Sequence, residues 1–287
     1  MGEDPAKLRA DRRRLLRDRQ RQRRRRVFAL VGLLLLAVVL MAGAIVYASR
    51  DEAPPPEPAL RTITLTIPEG YSREQTAQLA REAGLRGDYM KVSEGHEGFL
   101  FPDTFELEEG APVSDLVQLQ LQDFKRRVGG VDLGYARSKN LNTNDVVTIA
   151  SMVEEEAQLD EERPLIAAVI YNRLREGIPL GIDATIRFAT GNFEEPLTES
   201  ELAVDSPYNT RLNAGLPPGP ISSPGLSSIE AAANPARVDY LYYVVEPGTC
   251  GEHAFSSSDA EFQADVARYN EAREAAGGES PDTCGEE

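Results

Sequence analysis

From Val27 to Ser49 the chain runs 23 residues without a charged side chain, VFALVGLLLLAVVLMAGAIVYAS. As a helix rising about 1.5 Å per residue, this run reaches across a hydrocarbon core of about 30 Å. It is apolar on every face and longer than the ~7–15-residue apolar region of a cleaved signal peptide. The pattern predicts an uncleaved transmembrane helix. Beyond it the spacing changes. Thr62 to Ile67 alternates polar and apolar positions, which predicts a strand closed by Pro68-Glu69-Gly70. Ser72 with Gln75 forms a capping pair for a helix to about Arg81, and an amphipathic stretch predicts another over 114–127.

A helix opening at Thr143-Asn144 places Val146, Ile149, Ala150, Val153 and Ala157 on one face. Asp160 opens a second helix, with Pro164 in its first turn and its stop at Gly177. Residues 178–225 are rich in Pro and Gly, and a loop of that length inside a domain points to function. A short helix over 227–233, a strand over 239–246 and a hairpin partner at His253-Ala254-Phe255 follow. Ser258 with Glu261 caps a last helix through Ala275. The reading is α+β: one N-terminal transmembrane helix, then an exported α+β domain with a small accessory α/β module. Its divisions are a basic tail at 1–26, the span at 27–49 and a Pro-rich stalk at 50–60. The accessory module covers 61–140, the catalytic domain 141–276 and a C-terminal tail 277–287.

Charge gives this layout a direction. Residues 1–26 carry 12 Lys or Arg against four Asp or Glu, while 51–287 carry 18 against 43. Basic residues beside an apolar span hold that end in the cytoplasm, so everything after Ser49 is expected outside the cytoplasmic membrane. The acidic bulk argues against nucleic acid as a partner. In an exported domain, Cys250 and Cys284 are an even pair for which a disulfide is the default, with two free thiols as the alternative. They are too few for a structural zinc site, and no metal or cofactor is expected.

No Walker A sequence, GxGxxG, HExxH or GxSxG occurs, and His96 and His253 are the only histidines. What remains is Glu154-Glu155-Glu156. At about 100° per residue Glu155 points away from the apolar stripe, Glu154 sits about 95° from its centre and Glu156 about 65°. All three could form a solvated face. Alternatively, Glu156 is held against apolar walls, where lost solvation raises its pKa and keeps it protonated, as a general acid requires.

The segment TIASMVEEEAQLDEERPLIAAVIYNRLREGIPLGIDATIRF resembles the signature of the endolytic murein transglycosylases, the YceG-like family. EGFLFPDTFEL before it, then SPYNTRLNAGLPPGPISSPG, SIEAAANPARVDYLYYVVE and EHAFSSSDAEF, match in the same order over about residues 61–270. The resemblance implies cleavage of peptidoglycan glycan strands at the outer face of the cytoplasmic membrane, with peptidoglycan synthases as candidate partners. In the family one Glu protonates the glycosidic oxygen, then takes the proton of the muramoyl 6-hydroxyl as it closes a 1,6-anhydro ring. The matching position is Glu156. Asn172, Asp183, Thr185, Tyr208, Asn209 and His253 fall on further motif positions and resemble sugar-binding or orienting groups. Family members commonly carry a LysM-like module before the strand TITLTIPEG; here the chain reaches that strand from the span through the ten-residue stalk DEAPPPEPAL. Two other readings stand beside this one: a wall-binding adapter without turnover, and a conventional glycosidase with Asp183 as second carboxylate.

Overall fold

The computed structural model describes residues 5–49, 61–278, 280 and 281. The Pro-rich stalk and Cys284 lie outside the described residues. The chain divides into two compact units, Met1–Ala59 and Leu60–Glu287. The described residues of the first form one helix, α1 (Pro5–Ala48), in which the described part of the basic tail and the apolar run are continuous. Its stretch Arg19–Ala48 is long and apolar enough to cross a membrane. Leu33, Leu34, Leu35 and Leu36 point to successive sides of the helix and are all exposed. In water, apolar surface on every side has no favourable place to go.

The second unit opens with β1 (Thr62–Thr66), α2 (Arg73–Glu82), α3 (Tyr89–Val92) and β2 (Thr104–Glu108). The two strands pair antiparallel with Leu65 opposite Phe105. The alternation read along Thr62–Ile67 turns Leu65 and Ile67 inward, onto Ala77, Ala80, Leu100, Leu116 and Val117. Ser72 and Gln75 form the reciprocal cap at the start of α2, with the Ser72 amide donating to Gln75 Oε1 at 2.9 Å. α4 (Val113–Val128) closes this small core. The end of α4 and α5 (Gly134–Ser138) turn elsewhere: Val128, Leu133 and Ala136 pack into the larger core, as does Phe101. The two cores therefore interlock before residue 140.

The larger core is built on α6 (Thr143–Glu156), whose residues Val146 to Val153 are all buried. α7 (Arg163–Glu176), entered through a 3₁₀ turn at Asp160–Glu162, lies against it and stops at Gly177 with φ +70°. The stretch read as a long loop contains two short helices, α8 (Asp183–Thr190) and α9 (Glu199–Leu202). Both are shorter than the roughly three turns that make a helical pattern legible, and the Pro and Gly on either side mask them. α10 (Leu226–Ala233) packs on α6 and α7. β3 (Tyr242–Val245) and β4 (His253–Ser256) form an antiparallel hairpin, and α11 (Asp259–Ala275), capped by Ser258 and Glu261, covers it.

Candidate active site

α6 ends in three glutamates, and the structure gives each a different environment. Glu154 meets Arg163 at 3.1 Å and accepts the Gly225 amide at 2.9 Å, with both side chains of the pair about a tenth exposed. It is a tie between α6, α7 and the start of α10. Glu155 is exposed as a residue, yet its carboxyl is partly dehydrated. Its Oε1 lies 3.0 Å from where a Cβ on Gly70 would stand, and Ser222 supplies a hydrogen bond. Loss of water pushes its pKa up to about 7, and repulsion by Glu154 and Glu156 adds to this.

Glu156, the last residue of α6, keeps some accessible surface while its carboxyl is withdrawn from water. The Tyr243 phenol on β3 donates to its Oε2 at 2.9 Å. Dehydration raises its pKa above the usual carboxylate range; the Tyr243 bond opposes this, Asp183 reinforces it, and His253 and Arg173 pull down. The balance stays upward. A carboxyl so placed keeps its proton to higher pH than a solvated one does, and can give it to a bound oxygen.

Each neighbour is held by its own element. Asp183 opens α8 and pairs with Arg211 at 2.7 Å, both about half exposed. His253 on β4 contacts Glu162 twice, Nδ1 to Oε2 at 2.6 Å and backbone amide to Oε1 at 2.8 Å. This buried pair fastens the hairpin to the entry of α7. Arg173 donates through Nε to the Leu241 carbonyl and through Nη1 to that of Leu180, and lies over the Tyr242 ring. Glu156, Asp183 and His253, singled out from sequence, thus come together, and Tyr243 and Arg173 join them. Nothing in DYLYYVVE marks one tyrosine over another; only the strand's facing separates Tyr243 from Tyr242.

Three other motif residues have internal partners. Asn172 is buried and its amide donates to the carbonyls of Val238 and Tyr240, both at 2.9 Å, which sets the approach to β3. Thr185 is fully buried and bonds to Ile182 O and Thr210 Oγ1. Asn209, also fully buried, ties Leu202 and Val204 to the loop before Gly219. Tyr208 is half-buried, stacked at a tilt on Phe188 with centroids 4.9 Å apart. Beside it the accessory module enters: Gly98, at φ +79°, lies so close to Pro220 that a Cβ would stand 2.4 Å from that ring. Only glycine fits both the backbone and the contact. The adjacent Glu97 accepts the Arg73 amide at 3.0 Å and is pushed by burial to about 7. Cys250 is not a free thiol; Cys284 lies outside the described residues. Among the described residues no group of three or more His, Cys, Asp or Glu converges as a metal site.

The YceG-like family model matches residues 45–268. The chain is 32% identical over 259 residues to the endolytic murein transglycosylase of Streptococcus pneumoniae (strain ATCC BAA-255 / R6), covering 75% of this chain and 46% of that protein. It is 34% identical over 179 residues to the one of Bacillus subtilis (strain 168), covering 62% and 47%. The chain therefore spans about half the length of the curated relatives it matches. A crystal structure of a putative yceG-like protein from Listeria monocytogenes superposes with a TM-score of 0.61 at 28% identity, covering 70% of this chain and 74% of that one. A match over most of the folded unit, in sequence and in backbone, carries one conclusion: the chain belongs to the YceG-like family.

Proposed function

We propose that this protein is a membrane-anchored lytic transglycosylase that cuts peptidoglycan glycan strands internally. The observation that carries the reading is the Glu156 carboxyl: dehydrated, raised in pKa, bonded to a phenol, and at the end of a helix whose residues Val146 to Val153 are all buried. Its relatives are named endolytic murein transglycosylases. In the first half of the reaction the Glu156 proton passes to the glycosidic oxygen as the bond to C1 breaks, and the electron pair leaves with that oxygen. In the second the muramoyl 6-hydroxyl oxygen bonds to C1 and its proton returns to Glu156. No water is consumed, and one residue serves as acid and then base.

Asp183, on its exposed ion pair, and Tyr208, beside Pro220, are proposed to meet the sugar. Asn172, Thr185 and Asn209 shape the loops that carry them. The apolar helix is proposed as an anchor with its basic end in the cytoplasm. A reporter active only in the cytoplasm, fused after Glu287, is expected to stay silent; activity there refutes the topology. Cys250 and Cys284 are proposed to form a disulfide, so thiol labelling of denatured, unreduced protein should find no free cysteine. The reaction itself is tested by digesting purified glycan strands and weighing the products. Ends of 1,6-anhydromuramic acid, lighter than reducing ends by one water, support it. Reducing ends would make the protein a hydrolase, and no cleavage would favour the adapter.

A further inference from the structure

Resting on Glu156 as acid and base, we infer that Tyr243 is a positioning residue that assigns the reactive proton to one oxygen of Glu156. The phenol bonds Oε2 at 2.9 Å, and Oε1 accepts no hydrogen bond from the described residues. Oε1 is not sealed in either: the only buried side-chain polar atom without a partner among the described residues is Gln120 Nε2. One carboxyl oxygen is thus tied to the protein, and the other is left unbonded with accessible surface.

The phenol is a donor in every state of the reaction. Its own ionisation is driven well above the ordinary range by burial and by the adjacent carboxylate, so it keeps its proton. When Glu156 is protonated, Oε2 serves as the carbonyl oxygen and the proton sits on Oε1, toward the substrate. When that proton has gone to the glycosidic oxygen, the same bond becomes charge-assisted and about twice as strong. Oε1 is left as the acceptor for the 6-hydroxyl proton. The Tyr243 proton never transfers.

The phenol has little freedom to leave this post. Tyr243 pairs with Phe255 across the hairpin, and its ring stands edge-on to His253 at 5.3 Å. His253 is in turn locked by Glu162. The other charged or titratable groups facing Glu156 are Asp183 from α8, His253 from β4, Arg173 from α7 and Glu155 on its own helix. Of these groups, Tyr243 alone makes a hydrogen bond to the Glu156 carboxyl.

The sign of the pH effect follows. Tyr243 favours the ionised carboxylate, so removing its hydroxyl raises the Glu156 pKa. Tyr243→Phe in the full-length protein, assayed in detergent on purified glycan strands, is expected to lower kcat about 10- to 100-fold. The high-pH limb of kcat/KM should move up by about one unit. Replacing Tyr243 by 3-fluorotyrosine, which keeps the shape and strengthens the donor, should move the limb down. Opposite shifts are the expected signature. A lower rate with an unmoved limb, or shifts in the same direction, overturns the inference, because loss of packing alone gives those results. If Tyr243→Phe does not fold, the fluorotyrosine shift decides. Glu156→Gln separates the two levels. If it is inactive while both Tyr243 variants behave as wild type, this inference alone falls; if it is active, the reading of Glu156 falls with it.

Discussion

Glu154 and Glu156 stand two residues apart on the same helix and do opposite things. Glu154 faces α7 and the start of α10, where Arg163 and the Gly225 amide meet it. Glu156 faces the β3–β4 hairpin, where a neutral phenol is its direct partner and Asp183 adds repulsion. A cation within contact makes a carboxylate a structural tie. Its absence, with the carboxyl dehydrated, favours the protonated form of the same group. The difference lies in what each face of the helix packs against, since the side chains are chemically identical.

The sharpest way to break this comparison is Glu156→Gln. The amide keeps size and a hydrogen-bond acceptor for Tyr243 but carries no transferable proton. Activity should fall by at least 10²- to 10⁴-fold, read as anhydromuramic ends released, while the melting temperature changes little. If Glu154→Gln is the inactive variant instead, the two roles are exchanged.

The next largest effect is expected at the other pole. Arg163→Met removes the cation from a pair whose side chains are only about a tenth exposed, leaving Glu154 uncompensated. Urea unfolding should register a loss of about 3 kcal/mol or more. A loss below about 1 kcal/mol would mean that the pair is not the tie described. Activity per folded molecule should be much less affected than by Glu156→Gln.

Glu97 extends the comparison to the accessory module, where a dehydrated carboxyl caps the first turn of α2 and the pull of the Arg73 charge is outweighed by its burial. Its pKa in the fold is about 7 against the ordinary 4.5. The folded state therefore binds this proton more tightly than the unfolded chain. The stability it confers is full below about pH 4.5 and is lost as pH rises through about 7. Glu97→Gln keeps the acceptor for the Arg73 amide, so its stability should exceed that of the wild type increasingly from pH 5 to 8, by about 1–2 kcal/mol. Equal denaturation midpoints across that range would refute the shift.

The smallest effect is expected at Glu155→Gln. Its carboxyl adds repulsion to Glu156 but bonds to Ser222 and rests on Gly70. Turnover at neutral pH should stay within about threefold, with the high-pH limb displaced slightly downward as that repulsion goes. A loss comparable to Glu156→Gln would place Glu155 in the chemistry.

Much of this was legible along the chain. The alternation of Thr62–Ile67, the paired caps at Ser72 and Ser258 and the stop at Gly177 are short-range patterns, and they formed where they were read. Glu156 stood out by its angle to the α6 stripe. The same helical wheel puts Glu155 on the solvent side, which accounts for its exposure and not for its carboxyl folding back on Gly70. α8 and α9 were hidden because a helix of four to eight residues held by tertiary packing leaves little periodic signal.

By itself, the sequence determined the long apolar helix, the helices with whole-turn periodicity, the caps and the family motif. Each depends on residues within a few positions of one another, or on a pattern long enough to be specific. Only the tertiary structure decided which of three consecutive glutamates would meet an arginine and which a phenol. It also decided that Asn172, Thr185 and Asn209 would spend their polar atoms on loop carbonyls and hydroxyls rather than on solvent. The Asn172 bonds and the partners that set the glutamates apart include contacts between residues 66 to 91 positions apart, such as Asn172 with Val238, Gly225 with Glu154, Tyr243 with Glu156 and His253 with Glu162. A carboxyl's pKa is set by the water, charges and donors around it, and folding alone assembles that surrounding.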